Sequence, residues 1–232
     1  MDLLESKTSF IGKLFWDNRD FFIPFLVFVL LLSILLGVYG NTQLFLFINR
    51  HNSAPADFVF YYWTNLGDGI IAALFIIALL WISFRDALTF LIITLLITII
   101  VNILKDHIFP EMNRPVAYFG TSEILHIVTG YKPPILSTFP SGHTATAFSV
   151  GLYFSFFLKS RLSKFLLFIV AFFVGYSRMY LSAHFPADVI AGALIGVILT
   201  LLCYSPFRLI KSSWMDRKIE YRPKIFVRRQ IV

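Results

Sequence analysis

The chain has 232 residues and a formal net charge of +7, and 58% of its residues are hydrophobic while only 14% are charged. An average globular domain has roughly 25% charged residues. A water-soluble domain of this length leaves too much of its surface exposed to accommodate so many apolar side chains. The composition excludes a disordered chain, a collagen and a coiled coil, and the single cysteine, Cys203, excludes an intrachain disulfide scaffold. We therefore predict a membrane protein that crosses the bilayer several times.

Six apolar segments approach the length of about 20 residues that a helix needs to cross a bilayer. They run from about Phe21 to Tyr39, Gly69 to Phe84, Ala87 to Leu104, Thr144 to Leu158, Phe165 to Tyr180 and Ala187 to Tyr204. A start near Val59 is an alternative for the second segment. Only Arg85 and Asp86 separate it from the third, so these two are expected to form a tight hairpin. Continuous apolar runs without two-residue alternation favour helices over a β-barrel, so the predicted fold class is all-α.

Lys and Arg residues are concentrated in alternate segments between the predicted spans. Six spans place both termini on one side, and the positive-inside rule assigns that side to the cytoplasm. The chain then divides into a cytoplasmic N-terminal segment (residues 1–20), a six-span domain (residues 21–205) and a basic cytoplasmic tail (residues 206–232) near anionic lipid head groups. The concentration of Lys and Arg in the cytoplasmic segments explains the positive net charge. No nucleic-acid partner is predicted, because the sequence lacks a basic surface interleaved with stacking aromatic residues.

Three polar clusters fall at span ends that this topology places on the outer side, where the longest segment is the proline-rich loop of residues 106–140. The first cluster is Lys105 with Arg114-Pro115, the second is Pro140-Ser141-Gly142-His143, and the third is Ser177-Arg178 followed by His184 and Asp188. The three cations among them can surround an oxyanion with several charges. Ser141 and Gly142 precede a predicted helix, whose free N–H groups and dipole favour an anion. Together these residue types predict a phosphate-binding site.

The histidines and the aspartate add chemistry to this site. His184 comes just before a helix that we expect to begin at Pro186, and Asp188 is close enough in sequence to reach back to one imidazole nitrogen. A carboxylate in that position selects the tautomer and stabilises the imidazolium. The other nitrogen is then free to attack phosphorus, and His143 can protonate the leaving oxygen.

These clusters make the chain resemble the type 2 phosphatidic acid phosphatase (PAP2) superfamily, whose motifs are Lys-x6-Arg-Pro, Pro-Ser-Gly-His and Ser-Arg-x5-His-x3-Asp. The resemblance implies a helical bundle with six transmembrane helices and an active site at the outer, periplasmic face. It implies that His184 is the nucleophile that forms a phospho-histidine, that Asp188 orients it, and that His143 is the acid. The residues it assigns to phosphate binding are Lys105, Arg114, Ser141, Gly142 and Arg178. It implies no metal and no other cofactor.

One motif departs from the family pattern. Eight residues, rather than six, separate Lys105 from Arg114, so Lys105 reaches the phosphate only if the intervening chain bulges. His51, His107 and His126 match no motif and are expected to have structural roles, with lining of the site as an alternative for His107. Asp68 lies near the second span without an identifiable partner, which makes this acid a candidate functional residue.

The leading hypothesis is an integral-membrane lipid phosphatase of the bacterial inner membrane that acts on a lipid monophosphate or diphosphate. Undecaprenyl diphosphate is the favoured substrate, and phosphatidylglycerol phosphate, phosphatidic acid and lipid A phosphates are the alternatives. A lipid phosphotransferase that uses the same intermediate is a second hypothesis. A third is a non-catalytic lipid-phosphate binder or transporter, which the presence of His143, His184 and Asp188 disfavours. The predicted partners are the lipid substrate and the bilayer, and the sequence indicates no protein partner.

Overall fold

The computed structural model describes residues 12–120 and 124–219. Every regular element in these two ranges is helical. The helices are α1 (Arg19–Tyr39), α2 (Asn41–Arg50), α3 (Ala54–Trp63), α4 (Gly69–Leu79), α5 (Phe84–Ile103), α6 (Pro115–Phe119), α7 (Gly142–Ser155), α8 (Arg161–Tyr180) and α9 (Pro186–Leu209). A 3-10 turn (Thr64–Gly67) links α3 to α4, and a π-helical turn (Leu104–Ile108) continues α5. The prediction of an all-α fold is confirmed for the described residues.

Side-chain caps explain where many of these helices begin. An oxygen of the residue before the helix accepts a hydrogen bond from a backbone N–H of the first turn, which would otherwise lack a partner. This arrangement is found at Ser53 before α3, Asp68 before α4, Ser83 before α5, Ser141 before α7 and Ser160 before α8. Asp68, whose partner the sequence did not reveal, is thus a helix cap.

Four helices are long and apolar enough to cross a membrane: α1, α5 with its π-helical turn, α8 and α9. The pair formed by α3 and α4 passes the same test together but is bent by 52° at the 3-10 turn, so it is a broken span or a re-entrant segment. Helix α7 has only 14 residues. The structure therefore contains four or five candidate spans in its described residues, fewer than the six predicted.

The predicted hairpin between the second and third spans is present, but its turn lies elsewhere. The turn occupies residues 80–83, and Arg85 and Asp86 are buried in the first turn of α5 instead of forming the connection. Both charges have partners, since Arg85 Nε lies 2.7 Å from an Asp216 carboxylate oxygen and Arg208 Nη2 lies 2.6 Å from Asp86 Oδ1. These ion pairs allow the charges to be buried, which the sequence pattern did not indicate.

Helix α7 lies at the centre of the bundle, packed mainly against α8 and α9. Two glycines of α9 make the close approach possible. A Cβ atom at Gly192 would lie 2.3 Å from the Ser141 carbonyl oxygen, and one at Gly196 would lie 2.2 Å from the Ala145 carbonyl oxygen. Any larger residue would push the two helices apart. The contact places the start of α7 beside the start of α9, where the Ser141 N–H donates to the Asp188 carbonyl oxygen at 3.0 Å.

The outward faces of the long helices are apolar. Leu30 on α1 is 60% exposed, Leu95 on α5 is 51% exposed and Leu202 on α9 is 64% exposed. Exposed leucines at this density, on helices long enough to span, are suited to contact with lipid rather than with water.

The segment after α9 packs back onto the bundle. The main chain of residues 215–219 hydrogen-bonds to Leu80 in the turn after α4 and to Phe84 and Arg85 at the start of α5, and Met215 is buried. Helix α9 itself continues to Leu209, past the predicted domain boundary at residue 205. Residues 1–11 of the predicted N-terminal segment and residues 220–232 of the predicted tail lie outside the described residues.

Candidate active site

The three sequence clusters meet at one end of the bundle. Lys105 lies in the π-helical turn that ends α5, Arg114 lies just before α6, and Ser141 caps α7. Arg178 lies in the last turn of α8, and His184 lies two residues before α9. Lys105 and Arg178 lie at C-terminal ends, and Ser141 and His184 lie at N-terminal ends, of helices that run in opposite directions. They therefore share one end of the bundle, opposite the end that carries Arg85 and Arg208.

His184 is the centre of this site and is only 1% exposed. Its Nδ1 lies 3.3 Å from Asp188 Oδ2, as the spacing of four residues predicted. The same carboxylate oxygen accepts a hydrogen bond from the Phe185 N–H at 2.8 Å and one from the Thr138 hydroxyl at 2.5 Å. The carboxylate is therefore held by two donors in addition to the imidazole.

Arg114 occupies the other side of the imidazole ring. Its Nη1 lies 3.2 Å from His184 Nε2 and donates to the Ala183 carbonyl oxygen at 3.1 Å. Its Nε donates to the Leu136 carbonyl oxygen at 2.7 Å, and its Nη2 donates to the Ser137 carbonyl oxygen at 3.3 Å. A guanidinium has donors only, so this contact is satisfied when Nε2 carries the free lone pair and Nδ1 carries the proton.

The surroundings keep His184 neutral. Burial, followed by the positive charges of Arg114 and Arg178, holds the pKa of His184 well below its usual range. Burial, followed by the charge of Arg178, also lowers the pKa of Arg114 to about 10. At neutral pH the site therefore combines an uncharged imidazole, which can act as a nucleophile, with a charged guanidinium, which can bind an anion.

Arg178 is a second buried cation in the site and is 4% exposed. Its Nη1 donates to the Thr64 hydroxyl at 2.6 Å. Its Nε is buried without a hydrogen-bond partner among the residues that the structure describes. A buried guanidinium with a spare donor suits an anion that would complete its hydrogen bonding.

The N-terminus of α7 supplies backbone donors. Ser141 Oγ accepts from the Thr144 N–H, so this side chain is used as the helix cap. The N–H groups of Gly142 and His143 belong to the first turn, where a helix provides no partner. A Cβ atom at Gly142 would meet only Val101 Cγ1, at 3.6 Å, so packing of the protein does not require glycine here. The open space beside Gly142 is where a ligand oxygen can approach the backbone.

Lys105 and His143 are the two remaining residues that the sequence predicted for the site. The Lys105 ammonium is close enough to interact electrostatically with Arg114, Arg178 and Asp188, and His143 interacts with Arg178 and Asp68. Lys105 lies within the π-helical turn at residues 104–108, a local bulge at the end of α5. The structure thus brings all eight residues singled out from the sequence into one region.

Several residues of the site were not found by sequence reasoning. Thr138 contacts both Asp188 and His184, and Thr64 binds Arg178. Neither belongs to a motif, and single threonines in or near apolar segments have no pattern that distinguishes them. Within the two described ranges, no group of three or more His, Cys, Asp or Glu side chains is placed to hold a metal ion.

Comparison with known proteins identifies the family. The sequence profile of the PAP2 superfamily matches residues 86–210, and the chain belongs to this superfamily. Lipid A 4'-phosphatase of Bacteroides thetaiotaomicron is 28% identical over 67% of this chain and 72% of that protein. Undecaprenyl-diphosphatase of Sulfolobus acidocaldarius is 26% identical over 84% of this chain and 93% of that protein. A 43% identical stretch shared with the bacitracin transport permease protein BcrC of Bacillus licheniformis covers only 32% of that protein.

Solved structures agree with this assignment. The crystal structure of LpxE from Aquifex aeolicus matches with a TM-score of 0.62 and 32% identity, covering 70% of this chain and 93% of that chain. A transmembrane PAP2-type phosphatidylglycerolphosphate phosphatase from Bacillus subtilis matches in fold, with a TM-score of 0.59 and 21% identity over 82% of this chain and 98% of that chain. The assignment to a family of membrane phosphatases, made from the three motifs, is confirmed.

Proposed function

We propose that this protein is an integral-membrane lipid phosphatase that works through a phospho-histidine at His184. The observation that carries the proposal is the placement of one buried imidazole between two partners, with Nδ1 toward Asp188 and Nε2 toward Arg114. A ring held in this way has its proton directed at the carboxylate and its lone pair directed into a cationic site. This is the arrangement of an oriented nucleophile.

The reaction has two steps. In the first, His184 Nε2 attacks the terminal phosphorus, the bond from this phosphorus to the leaving oxygen breaks, and His143 donates a proton to that oxygen. The leaving oxygen is the lipid alcohol oxygen of a monophosphate or the bridging oxygen of a diphosphate, which departs as the lipid monophosphate. In the second, His143 takes a proton from water, the water oxygen attacks phosphorus, and the bond to Nε2 breaks to release inorganic phosphate. Asp188 stabilises the positive charge on His184 in the intermediate, and Arg114, Arg178 and Lys105 neutralise the phosphoryl oxygens.

No metal ion enters this scheme, because the three cations and the backbone N–H groups of Gly142 and His143 take the role of charge neutralisation. Ser141 contributes by holding the start of α7 through its cap. We therefore expect phosphate release to continue in EDTA.

The proposed substrates are long-chain lipid phosphates, whose apolar tails stay in the bilayer. Undecaprenyl diphosphate remains the favoured one, supported by the named activity of the relative from Sulfolobus acidocaldarius, which aligns with 84% of this chain. A lipid A phosphate is supported in the same way by the relative from Bacteroides thetaiotaomicron. Phosphatidylglycerol phosphate and phosphatidic acid complete the panel to be tested.

The proposed topology has six spans, counting the bent pair of α3 and α4 as one and the short α7 as another. It is supported by the separation of charges along the bundle, with the site at one end and the cluster of Arg85, Asp86 and Arg208 at the other. The positive-inside rule then places the termini in the cytoplasm and the site in the periplasm of a bacterial inner membrane. The proposed limits of the spanning domain are residues 21–205.

The topology can be tested with single cysteines in a Cys203→Ala background. A cysteine at Lys132 in the outer loop should react with a membrane-impermeant maleimide in intact cells, whereas one at Lys211 should react only after lysis. The opposite labelling pattern would reverse the orientation.

The function is tested by measuring phosphate release from the four lipid classes with detergent-purified protein in EDTA, beside His184→Ala and His143→Ala variants. We expect release from at least one lipid, abolished in the first variant and strongly slowed in the second. Loss of activity in EDTA with recovery on adding a divalent metal would contradict the mechanism. No release without a lipid alcohol acceptor, but transfer with one, would establish the phosphotransferase instead.

A further inference from the structure

A fully buried amide lies next to the turn that carries the nucleophile. Asn49, near the end of α2, is 0% exposed. Its Nδ2 donates to the Tyr180 carbonyl oxygen at 2.9 Å and to Ser182 Oγ at 3.0 Å, and it lies 3.1 Å from the His126 carbonyl oxygen. Its Oδ1 accepts from the His126 N–H at 2.8 Å. One side chain thus ties together the end of α8, the turn before α9 and the outer loop.

The turn that Asn49 holds is strained. Ser182 has a φ of 56°, a left-handed conformation that is uncommon for a residue other than glycine. Strain of this kind persists only where surrounding contacts determine the conformation. Ser182 Oγ makes two such contacts, accepting from Asn49 and donating to the His126 carbonyl oxygen at 3.2 Å.

The strained residue controls where His184 lies. The turn reverses the chain so that the N–H groups of Ala183 and His184 both donate to the Arg178 carbonyl oxygen at 3.0 Å. The Ala183 carbonyl oxygen in turn accepts from Arg114 Nη1. A change in the backbone at Ser182 would therefore move the imidazole relative to both arginines of the site.

We propose that Asn49 is a positioning residue for the phosphoryl transfer, acting through Ser182 on the location of His184. The proposal rests on the function proposed above. Asn49 lies outside residues 86–210, the part of the chain that the family profile matches, so the family pattern does not assign this role. It touches none of the reacting groups, and its effect is on geometry alone.

The expected kinetic effect is a loss of kcat with little change in KM. Displacing a nucleophile by a fraction of an ångström to one ångström lowers the rate of reaction on the order of 10- to 100-fold. Lys105 lies outside the turn that contains Ser182, and Arg114 is also held by the carbonyl oxygens of Leu136 and Ser137. The groups expected to bind phosphate should therefore stay in place, and KM should change by less than about threefold. A general loss of folded protein would instead reduce the yield and the thermal midpoint without this division between kcat and KM.

The chain offers a matched control and a milder variant. Asn52 is an exposed asparagine beyond the end of the same helix, and its amide donates to the carbonyl oxygens of Asn49 and Arg50. Asn52→Ala should leave kcat and KM unchanged. Ser182→Ala removes one hydroxyl and should lower kcat less than Asn49→Ala. The double variant should lose less than the product of the two single effects, because both remove the same contact.

The deciding experiment measures kcat, KM and thermal midpoint of the purified full chain for wild type, Asn49→Ala, Ser182→Ala, their double variant, Asn52→Ala and His184→Ala. Support is a lowered kcat with retained KM in the first two variants and a non-additive double. If His184→Ala is inactive while Asn49→Ala and Ser182→Ala both keep wild-type kcat, the positioning role is wrong and the proposed function stands. If His184→Ala is fully active, both are wrong.

Discussion

Arg114 and His184 face each other directly in the candidate site, with Nη1 3.2 Å from Nε2. The nitrogen expected to attack phosphorus is thus already paired with the cation expected to receive a phosphoryl oxygen. When a phosphate enters, its oxygen can take over the N–H that Nη1 directs at the ring, which frees the lone pair of Nε2 at that moment. In the proposed mechanism, this one contact keeps the imidazole in its reactive tautomer before the substrate arrives and is replaced by a contact with the substrate afterwards.

Replacing Arg114 by lysine should show that the shape of the guanidinium is needed as well as its charge. Lysine keeps the positive charge but cannot bind three carbonyl oxygens and the imidazole together. We expect kcat/KM to fall about 100-fold or more, the magnitude typical of removing one donor to a developing oxyanion. Arg114→Ala should raise KM as well. Steady-state phosphate release, with Arg50→Lys as an exposed control, measures the effect, and wild-type kinetics for Arg114→Lys would contradict it.

Thr138 should act through the orientation of Asp188. The isosteric Thr138→Val variant removes the hydroxyl that donates to the carboxylate and leaves the volume nearly unchanged. We expect kcat to fall roughly 10-fold, because the carboxylate loses one hydrogen-bond donor and with it part of its fixed orientation. Thr138→Ser keeps the hydroxyl and should retain most of the activity. Equal activity of the two variants would show that the hydrogen bond does not contribute.

Replacement by alanine should lower activity at Gly142 and stability at Gly192. A Cβ atom at Gly142 meets no protein atom closer than 3.6 Å, whereas one at Gly192 would lie 2.3 Å from the Ser141 carbonyl oxygen. Gly142→Ala should change the free energy of unfolding by less than about 0.5 kcal/mol but should lower kcat/KM, because the methyl group occupies the space left for phosphate. Gly192→Ala should destabilise the fold by about 1–3 kcal/mol.

Thermal unfolding in detergent together with phosphate release separates these two effects. A Gly142→Ala protein that is unstable, or one that is stable and fully active, would contradict the assignment of that space to the ligand.

The stability of the protein should fall in mild acid because of His184. Burial and the neighbouring arginines keep the pKa of His184 well below the value of about 6.5 expected in an unfolded chain. Above pH 6.5, His184 does not reduce the free energy of unfolding. As the pH falls below 6.5, the free energy of unfolding decreases, because the unfolded chain binds a proton that the folded chain does not. The loss is about 1.4 kcal/mol by pH 5.5 and continues until the pKa of the folded state is reached.

A His184→Gln variant lacks this titrating group. The difference in thermal midpoint between pH 7.5 and pH 5.5 should therefore be smaller in the variant than in the wild type. An identical pH dependence in the two proteins would show that His184 is not held neutral by its surroundings.

The amino-acid sequence determined the class of fold and supplied the motifs from which the candidate site was predicted. Apolar runs close to the thickness of a bilayer allow little other than helices, because an unpaired backbone group in lipid is costly. The clusters Pro140-Ser141-Gly142-His143 and Ser177-Arg178 with His184 and Asp188 have fixed spacings, so each could be recognised locally. The pairing of His184 with Asp188 followed from four residues at the start of a helix, a distance that local geometry sets.

The tertiary structure decided what local spacing could not. Several features depend on which elements meet in three dimensions. They are the bend between α3 and α4, the position of Lys105 after two added residues, and the contacts of Thr138, Thr64 and Asn49. Asn49 lies 133 residues from Ser182 in sequence, and nothing in the sequence distinguishes it from the neighbouring amides Asn41, Gln43 and Asn52. A polar side chain that is buried away from water must find its hydrogen-bond partners within the protein, so it constrains the elements that it contacts. Which side chains are buried depends on how the helices pack and cannot be seen in the local sequence.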